Sequence, residues 1–389
     1  MLRNRLSDER GSGDRCGSTA CGPFIYTESS MRTGLANLPL HGGAAPRWLF
    51  DRMTKLSREI TRCIVEEHGP REMLARLADP WWFQAFGCVL GFDWHSSGVT
   101  TTVCGALKQA LRGTEADLGL FVAGGKGKTS RRTPDDITAY GERFSIGRSL
   151  DDLVYASRMS AKVDNTAVQD GYQLYHHTFV FTREGDWAVV QQGMNDENSM
   201  ARRYHWLSDA VDSFICEPHT GVCAQAPAQH MLNMVARESE AARQTTASLS
   251  QESPERLVRE IERMQALTLP RRHEVLVSEL RPDSLKRVLL KSYERQPQGF
   301  QQLLEVRGVG PTAIRALALI AELVYGVEAS TRDPAKFSFA HGGKDGYPFP
   351  VDRDTYDRSI EILREAVNKA RIGDREKLDA LRRLAWEGR

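Results

Sequence analysis

Side chains suited to acid–base and metal chemistry are concentrated between residues 157 and 181. Hydrolysis of a phosphodiester with a divalent cation needs carboxylates or imidazoles to bind the cation and a base to activate water. It also needs a positive group near the developing charge. Six candidates lie within sixteen positions: Lys162, Asp164, Asp170, Gln173, His176 and His177. We expect Mg²⁺ or Mn²⁺ to be bound by Asp164, Asp170 and His176. Lys162 and Gln173 complete the predicted catalytic set.

An antiparallel hairpin is predicted to carry the two histidines. Residues 172–182 alternate in side-chain character, Gly185 and Asp186 mark a turn, and residues 187–192 are again rich in β-forming side chains. Successive side chains of a strand point to opposite faces, so only one of the two histidines can join a given site. The alternation does not determine the face on which the Asp170 side chain lies, because the glycine that follows can interrupt it. A hairpin whose polar groups are solvated or hydrogen-bonded is the alternative, since the Asp…Glu-x-Lys arrangement of nucleases is absent.

The stretch from residue 301 to residue 326 predicts two helices joined by a tight turn. A short helix covers residues 300–306, glycines 308 and 310 form the turn, and Pro311 begins a second helix that runs to Tyr325. This stretch resembles the helix-hairpin-helix motif of DNA repair and recombination proteins, which contacts the sugar-phosphate backbone with little reading of bases. The resemblance implies DNA contacts by Arg307, Gly308, Val309, Gly310, Thr312 and Arg315. A helical hairpin that only packs is the alternative.

A glycine-rich basic turn follows a predicted strand at residues 118–123. It carries Lys126, Lys128, Arg131 and Arg132. A Walker phosphate loop is excluded, because Val122 stands where that pattern needs glycine. We expect Lys126, Lys128 and Arg131 to contact nucleic-acid phosphates, and a solvated turn is the alternative.

Two further motifs support weaker hypotheses. Val351-Asp352 follows the hairpin in the order used by helix-hairpin-helix DNA glycosylases, which would make Asp352 a catalytic carboxylate. Thr312 stands where the bifunctional glycosylases have lysine, so the enzyme would be monofunctional. Asp352 as a helix cap is the alternative. Cys216, His219 and Cys223 offer three local zinc ligands, whereas a structural site needs four.

Composition narrows the class of protein without settling its partner. The chain has 389 residues, with 52 Lys and Arg against 51 Asp and Glu, which excludes a uniformly basic protein but leaves local basic patches possible. Seven scattered cysteines indicate a reducing cytoplasm and not a disulfide scaffold. No apolar run is long enough to span a bilayer. Residues 1–30 lack the apolar core of a signal peptide and are expected to form a disordered extension or to precede the true start at Met31.

The patterns together predict an α+β fold. Residues 31–230 are expected to form a mixed α/β catalytic domain, with a first helix after Pro46 that ends before Gly69. Residues 231–389 are expected to form a helical domain that contains the helix-hairpin-helix at residues 300–325. The polar stretch 223–250 is predicted to be a long surface helix or a linker.

Several segments together resemble the domain-of-unknown-function 763 family of archaea and thermophilic bacteria. They include RTGLANLPLHGGAAPRWLF, GGKGKTSRRTP, SAKVDNTAVQDGYQLYHH and AHGGKDGYPFPVDRDTYD, and the resemblance covers residues 31–370. The family implies a prokaryotic protein but assigns no catalytic residues. We therefore predict a cytoplasmic DNA-binding protein of repair or recombination type, a hydrolase that cleaves DNA with a divalent cation. A monofunctional glycosylase and a non-catalytic nucleic-acid-binding module remain the alternatives.

Overall fold

Helices and one antiparallel sheet alternate along the described part of the chain, which confirms the α+β prediction. The computed structural model describes residues 45–92, 98–197, 199–224, 231–265, 281–335, 353–370 and 372–386. The predicted extension at residues 1–30 and the carboxylate of Asp352 lie outside these ranges.

Helices dominate the sequence before the first strand. They are α1 (Arg47–His68), α2 (Pro70–Ala78), α3 (Pro80–Val89), α4 (Gly98–Leu111) and α5 (Glu115–Leu118). The predicted first helix is confirmed as α1, which ends at Gly69 with a φ of +84° that favours glycine. The Asp79 carboxylate caps α3 by accepting from the backbone N–H groups of Trp81 at 2.8 Å and Trp82 at 3.1 Å.

The central sheet is antiparallel and has the strand order β1-β3-β4-β5-β6. Its strands are β1 (Leu120–Lys126), β3 (Gln173–Thr182), β4 (Trp187–Asn195), β5 (Met200–Leu207) and β6 (Gly221–Cys223). The predicted hairpin is β3 and β4, in which His176 pairs with Gln192 and His177 pairs with Gln191. A separate two-stranded sheet joins β2 (Val168–Gln169) to β7 (Leu232–Asn233).

Two helices connect β1 to this hairpin. They are α6 (Thr133–Arg143) and α7 (Leu150–Lys162). Helix α7 continues directly into a π-helical turn (Val163–Ala167). Such widened turns are rare and occur frequently at functional sites. This turn contains Asp164, one of the predicted catalytic residues.

Each face of the sheet is covered by a separate hydrophobic core. The α7 face carries Phe179, Phe181 and Trp206, which pack in a core with Leu153 and Ala156 of α7. The α4 face carries alternate residues of the same strands, including Val180, Ala188 and Val190, which pack in a core with Val99 and Val103 of α4. Every buried polar side chain of the sheet therefore belongs to one of two different environments.

The rest of the described chain is helical apart from β7. Its helices are α8 (Glu240–Leu249), α9 (Pro254–Gln265), α10 (Pro282–Arg295), α11 (Phe300–Glu305), α12 (Pro311–Tyr325), α13 (Arg353–Lys369) and α14 (Asp374–Trp386). The predicted helices at residues 300–306 and 311–325 are confirmed as α11 and α12. None of the helices in the described ranges is long and apolar enough to cross a membrane.

The prediction of a long surface helix or linker at residues 223–250 is wrong. Residues 240–249 form α8, which is only ten residues long and buries one side. Arg243 on that side is 2% exposed, and its guanidinium donates to the carbonyls of Met234 at 2.7 Å and Ala236 at 2.8 Å. The polarity of a stretch does not show which of its arginines are buried by contacts with other segments. The polar stretch was therefore predicted to lie at the surface.

Helices of the predicted C-terminal domain complete both cores. Leu303, Ile314 and Leu317 join the core of the α7 face, whereas Leu363 and Val367 join the core of the α4 face. The residues described belong to one compact unit that begins at Gly34. The division at residue 230 therefore stays a prediction, while α12 shares one hydrophobic core with the α7 face of the sheet.

Candidate functional site

A cavity of about 570 Å³ opens where six segments of the chain meet. The segments are the basic turn (residues 126–132), the start of α6, α7, the π-helical turn, the start of β3, and the hairpin turn (residues 306–310) with the first residue of α12. Its wall includes Ser130, Arg131, Asp135, Ser157, Arg158, Lys162, Asn165, His176, His177, Gly310 and Pro311. Two of these residues, Lys162 and His176, belong to the predicted catalytic set, and Arg131 and Gly310 belong to the predicted DNA contacts.

The basic turn is brought to the cavity by a close approach of β1 and β3. Gly124 has a φ of +85°, and a Cβ atom there would lie 2.3 Å from the carbonyl oxygen of His177 and 2.5 Å from Oγ1 of Thr133. Only glycine fits this position, because any side chain would force the strands apart. The chain then forms one 3-10 segment (Gly127–Arg132) before α6 begins.

The cations of the basic turn are available to a ligand. Lys126, Lys128, Arg131 and Arg132 are exposed. Among the described residues, none of the four lies within salt-bridge distance of a carboxylate. The nearby Lys108, in contrast, is bound to Asp136 at 2.7 Å. The Lys126 ammonium lies 5.9 Å from the centroid of the Tyr175 ring.

The hairpin turn is fastened to the wall of the cavity by hydrogen bonds. The Lys162 ammonium donates to the carbonyl of Val309, and the Gln169 side chain donates to the carbonyl of Pro311 at 2.9 Å. Oε1 of Gln169 accepts from Nε of Arg315 at 2.9 Å. Burial lowers the pKa of Lys162. These bonds hold the turn at the cavity in a defined position.

The predicted DNA contacts of the hairpin differ in exposure. Arg307, Gly308 and Thr312 are exposed at the turn and at the start of α12. Val309 is only 2% exposed and packs in the core, and the half-buried Arg315 is engaged by Gln169. The side chains of Val309 and Arg315 thus serve to position the turn.

Asp164 lies at the centre of a buried hydrogen-bond network. Its Oδ1 accepts from Nε2 of His219 at 2.5 Å, and its Oδ2 accepts from Nε2 of Gln191 at 2.6 Å and Nε1 of Trp206 at 2.9 Å. Burial raises the pKa of Asp164, and the neighbouring His219 opposes that shift. A carboxylate that already accepts three hydrogen bonds inside the core has little capacity left for a cation.

Asp170 belongs to a different, ionic network. It accepts from Nη1 of Arg202 at 2.7 Å, from the hydroxyl of Tyr204 at 2.8 Å and from the backbone of Tyr172 at 3.1 Å. The second nitrogen of Arg202 donates to Asp333 at 2.6 Å. The network joins β5 to the segment after α12, so its main effect is structural.

The two histidines lie on opposite faces of the sheet, as the alternation predicted. On the α7 face, His177 contacts Oε1 of Gln191 through Nδ1 at 2.8 Å and Oγ of Ser157 through Nε2 at 2.9 Å. On the α4 face, Nε2 of His176 lies 2.9 Å from Oγ1 of Thr178. Burial lowers the pKa of His176 to about 3 and that of His177 to about 4. Both imidazoles are therefore neutral at pH 7.

The structure does not bring the predicted cation ligands together. Asp164 and Asp170 are each saturated by their own donors, and the His176 side chain lies across the sheet. No group of three His, Cys, Asp or Glu side chains in the described ranges is arranged to hold a metal ion, and this includes the sequence from Cys216 to Cys223. Gln173 is exposed at the start of β3.

Ser157 was not singled out in the sequence, and His219 was singled out only as a possible zinc ligand. Together with His177, Gln191 and Asp164 they form one continuous chain of hydrogen bonds that begins at the cavity and ends in the core. Ser157 has a weak sequence signal, because it lies four positions after buried Leu153 on the inner side of α7. His219 lies in a loop without periodicity, so nothing local indicated its pairing with Asp164.

Comparison with known proteins gives a family and no activity. No curated protein and no solved structure matches the chain. The model of a family described as protein of unknown function, DUF763, matches residues 34–351, which is more than half of the chain. That range contains β1 to β7, the cavity and the hairpin turn. The chain belongs to the DUF763 family.

Proposed function

We propose that this protein binds the sugar-phosphate backbone of DNA at the cavity between the basic turn and the hairpin turn. We place it in the cytoplasm, in repair or recombination. The observation that carries the proposal is that two segments far apart in sequence, each expected to contact phosphates, line the same cavity. Because both segments lie at one cavity, a single extended polyanion such as DNA can contact both of them at once.

The charge of the cavity supports an anionic ligand. Its wall carries the cations Arg131, Arg158 and Lys162 against one carboxylate, Asp135. The exposed Lys126, Lys128 and Arg132 extend the positive surface along the basic turn. A run of phosphates that neutralises these cations would release counterions, so binding should weaken steeply with salt.

The hairpin supports contacts to the backbone and not to bases. Gly308 has a φ of +101°, and Gly310 lies directly before the proline that begins α12. The turn resembles the helix-hairpin-helix motif in this arrangement of glycine, glycine and proline. Exposed N–H groups at the start of a helix favour phosphate oxygens, which carry no sequence information. The proposed binding is therefore independent of sequence.

Fluorescence anisotropy with labelled duplex and single-stranded oligonucleotides tests the basic turn. The triple variant Lys126→Ala, Lys128→Ala, Arg131→Ala should lower the slope of log Kd against log salt by up to about 3, about one for each phosphate contact. The matched control is Arg52→Ala, Lys55→Ala, Arg62→Ala, which removes the same charge from α1. Equal losses in both triple variants would mean that only the overall charge matters and would refute the site.

The hairpin is tested by adding a side chain to its glycines. Gly308→Val and Gly310→Val should each weaken binding at least about tenfold, or about 1.4 kcal/mol, because a side chain separates the turn from the phosphate. Gly326→Val is the matched control, since its φ of +68° lies at the far end of the same helix. If it weakens binding as much as Gly308→Val, the effect comes from helix strain and the hairpin contact is wrong.

We propose cleavage of the bound backbone as the activity, because the neutral imidazole of His177 and the ammonium of Lys162 line the same cavity. Incubating plasmid and linear DNA with the protein and Mg²⁺, Mn²⁺ or EDTA tests both the activity and the need for a cation. Mg²⁺ can bind through one or two carboxylates and the phosphates of a substrate, and Asp135 is a carboxylate of this wall. Binding without product under every condition would favour the non-catalytic module.

The glycosylase hypothesis makes a different prediction. It requires abasic sites in damaged duplex DNA without a cation, and their loss in Asp352→Asn. Asp352 lies outside the described residues, so this alternative stays a prediction from the sequence.

A further inference from the structure

Ser157 and His177 form a buried hydroxyl–imidazole pair at the wall of the cavity. Their Oγ and Nε2 atoms lie 2.9 Å apart, and both residues line the cavity although Ser157 is 2% exposed and His177 is 5% exposed. Such a pair resembles the activated nucleophile of hydrolases, in which a base accepts the hydroxyl proton and a third group orients the base.

The hydrogen-bond chain behind His177 determines which nitrogen carries the proton. Trp206 can only donate, so Oδ2 of Asp164 is an acceptor and receives the amide N–H of Gln191 as well. The carbonyl of Gln191 therefore faces His177 and accepts from its Nδ1–H at 2.8 Å. Nε2 is left with a lone pair, and the Ser157 hydroxyl donates to it. This is the tautomer that a general base needs.

The same cavity supplies the charge that a phosphoryl transition state requires. Arg158 is one residue after Ser157, and Arg131 and Lys162 complete the positive wall. Positive groups fixed around the reacting phosphate stabilise the negative charge on its oxygens in the transition state.

We propose that Ser157 is the nucleophile of this site and that it forms a covalent phosphoserine intermediate with a DNA phosphodiester. This inference rests on the proposed DNA-binding function and identifies its chemistry. Ser157 was not part of the catalytic set predicted from the sequence, and the intermediate needs no redox partner.

Each step of the reaction balances. The Oγ–H proton passes to Nε2 of His177 while Oγ forms a bond to phosphorus. The bond from phosphorus to the deoxyribose oxygen opposite Oγ breaks, and that oxygen takes a proton from solvent. Water then attacks phosphorus and releases a proton to solvent, the bond from phosphorus to Oγ breaks, and Oγ recovers its proton from Nε2. The net change is hydrolysis of a diester to a monoester and a hydroxyl.

Trapping the intermediate tests the proposal in the full-length protein. DNA labelled with ³²P throughout, with bridging phosphorothiolate linkages whose thiol leaves readily and does not return, is incubated with the protein. The reaction is then denatured in SDS. A labelled protein–DNA adduct should form, and mass spectrometry of its peptides should locate the phosphate on Ser157.

A matched pair of serine variants separates chemistry from packing. Ser160 lies one turn further along α7, is fully buried, and its hydroxyl donates to the backbone carbonyl of Ser157 at 3.1 Å, away from the cavity wall. Ser157→Ala should lower adduct formation at least about a hundredfold, which is the usual range for loss of a catalytic group, with DNA affinity within about twofold. Ser160→Ala should keep the adduct. Circular dichroism melting of both variants checks that they are folded.

The outcomes distinguish this inference from the function on which it rests. A wild-type protein that fails to bind DNA overturns both. A protein that binds DNA with the expected salt dependence but forms no adduct overturns only the nucleophile. An adduct that persists in Ser157→Ala, or that maps to another residue, overturns the assignment of Ser157.

Discussion

Three pairs of identical neighbours place one member on each face of the central sheet. They are His176 and His177, Gln191 and Gln192, and Arg202 and Arg203. The α7 face carries His177, Gln191 and Arg202. The α4 face carries His176, Gln192 and Arg203. Residue type and strand are the same within each pair, so any difference in behaviour comes from the environment.

The α7 face provides these side chains with charged and complementary partners. Both ring nitrogens of His177 are hydrogen-bonded, Gln191 links it to the carboxylate of Asp164, and Arg202 is neutralised by Asp170 and Asp333. The chain from Asp164 through Gln191 reaches the cavity at His177, separately from the ion pairs of Arg202. Both imidazole nitrogens at the cavity are hydrogen-bonded, as expected where a specific geometry is maintained, whereas the buried Nε of Arg202 has no hydrogen-bond partner among the described residues.

The α4 face provides neutral partners. Arg203 donates to Oε1 of Gln84, the hydroxyl of Thr100 and the carbonyl of Pro80, and it lies 4.6 Å from the centroid of the Phe83 ring. Burial lowers the pKa of Arg203, and neighbouring cysteines oppose that shift. Nε2 of His205 has no hydrogen-bond partner among the described residues. The two faces show that the type of a polar residue in this sheet does not indicate its role. The groups to which the residue is hydrogen-bonded or ion-paired indicate that role.

The arginines should show the largest difference in stability. Arg202→Met leaves two carboxylates near the core without their cation and should lower the free energy of unfolding by about 3 to 5 kcal/mol. Arg203→Met removes a poorly solvated charge together with neutral hydrogen bonds, and should cost only about 1 to 2 kcal/mol. Urea unfolding followed by circular dichroism measures both.

Asp170→Asn provides the control for the arginine comparison. In its background, Arg202→Met should cost less than in the wild type, because one of the two stranded carboxylates is gone. Arg203→Met should cost the same in both backgrounds. Equal coupling of both arginines to Asp170 would contradict the assignment of that carboxylate to the α7 face.

The histidines should make stability depend on pH. Their ordinary pKa of 6.5 applies to the unfolded chain, while burial lowers the pKa of His177 to about 4 and that of His176 to about 3. Their contribution is fully present above pH 6.5. It is lost as the pH falls towards the folded pKa, because the unfolded chain binds protons that the folded protein cannot. At pH 4, the lowered pKa of each histidine should reduce the free energy of unfolding by about 3 kcal/mol relative to pH 7.

Substituting one histidine at a time measures how much each face of the sheet contributes to the pH dependence of stability. Urea unfolding between pH 7 and pH 4 should show a smaller loss of stability in His177→Gln and in His176→Gln than in the wild type. Only His177→Gln should also abolish the adduct at the cavity. A loss of stability with pH that is unchanged in both variants would mean that neither imidazole is buried and neutral.

Much of the fold was predictable because its signals are local. Pro311 and the apolar residues after it predicted α12, and the alternation from residue 172 predicted β3 and the separation of the two histidines. The strand β5 was not predicted, because two arginines interrupt the apolar pattern that marks a strand. Their burial depends on Asp333 and Gln84, which lie 131 and 119 positions away along the chain.

The candidate site was predictable only in part for the same reason. The basic turn and the hairpin carry local motifs, so the segments around the cavity could be named from the sequence. The hydrogen-bond chain could not, because Ser157 reaches His177 across 20 positions and His219 reaches Asp164 across 55. Asp164 and Asp170 were predicted as metal ligands from their type alone, and the donors that each carboxylate accepts from within the core could not be read from the sequence.

The glutamines should show the smallest difference in stability and the clearest difference in chemistry. Gln191→Leu removes the link between Asp164 and His177 and should cost about 2 kcal/mol, because it leaves buried groups unpaired on both sides. Gln192→Leu, whose amide donates to the hydroxyl of Tyr175, should cost about 1 kcal/mol. Only Gln191→Leu frees Nδ1 of His177, so it alone should slow adduct formation, which can be timed by SDS gel at equal DNA occupancy. If Gln192→Leu slowed adduct formation equally, the orientation of His177 would not depend on Gln191. The difference between the two faces would then have no bearing on the proposed chemistry.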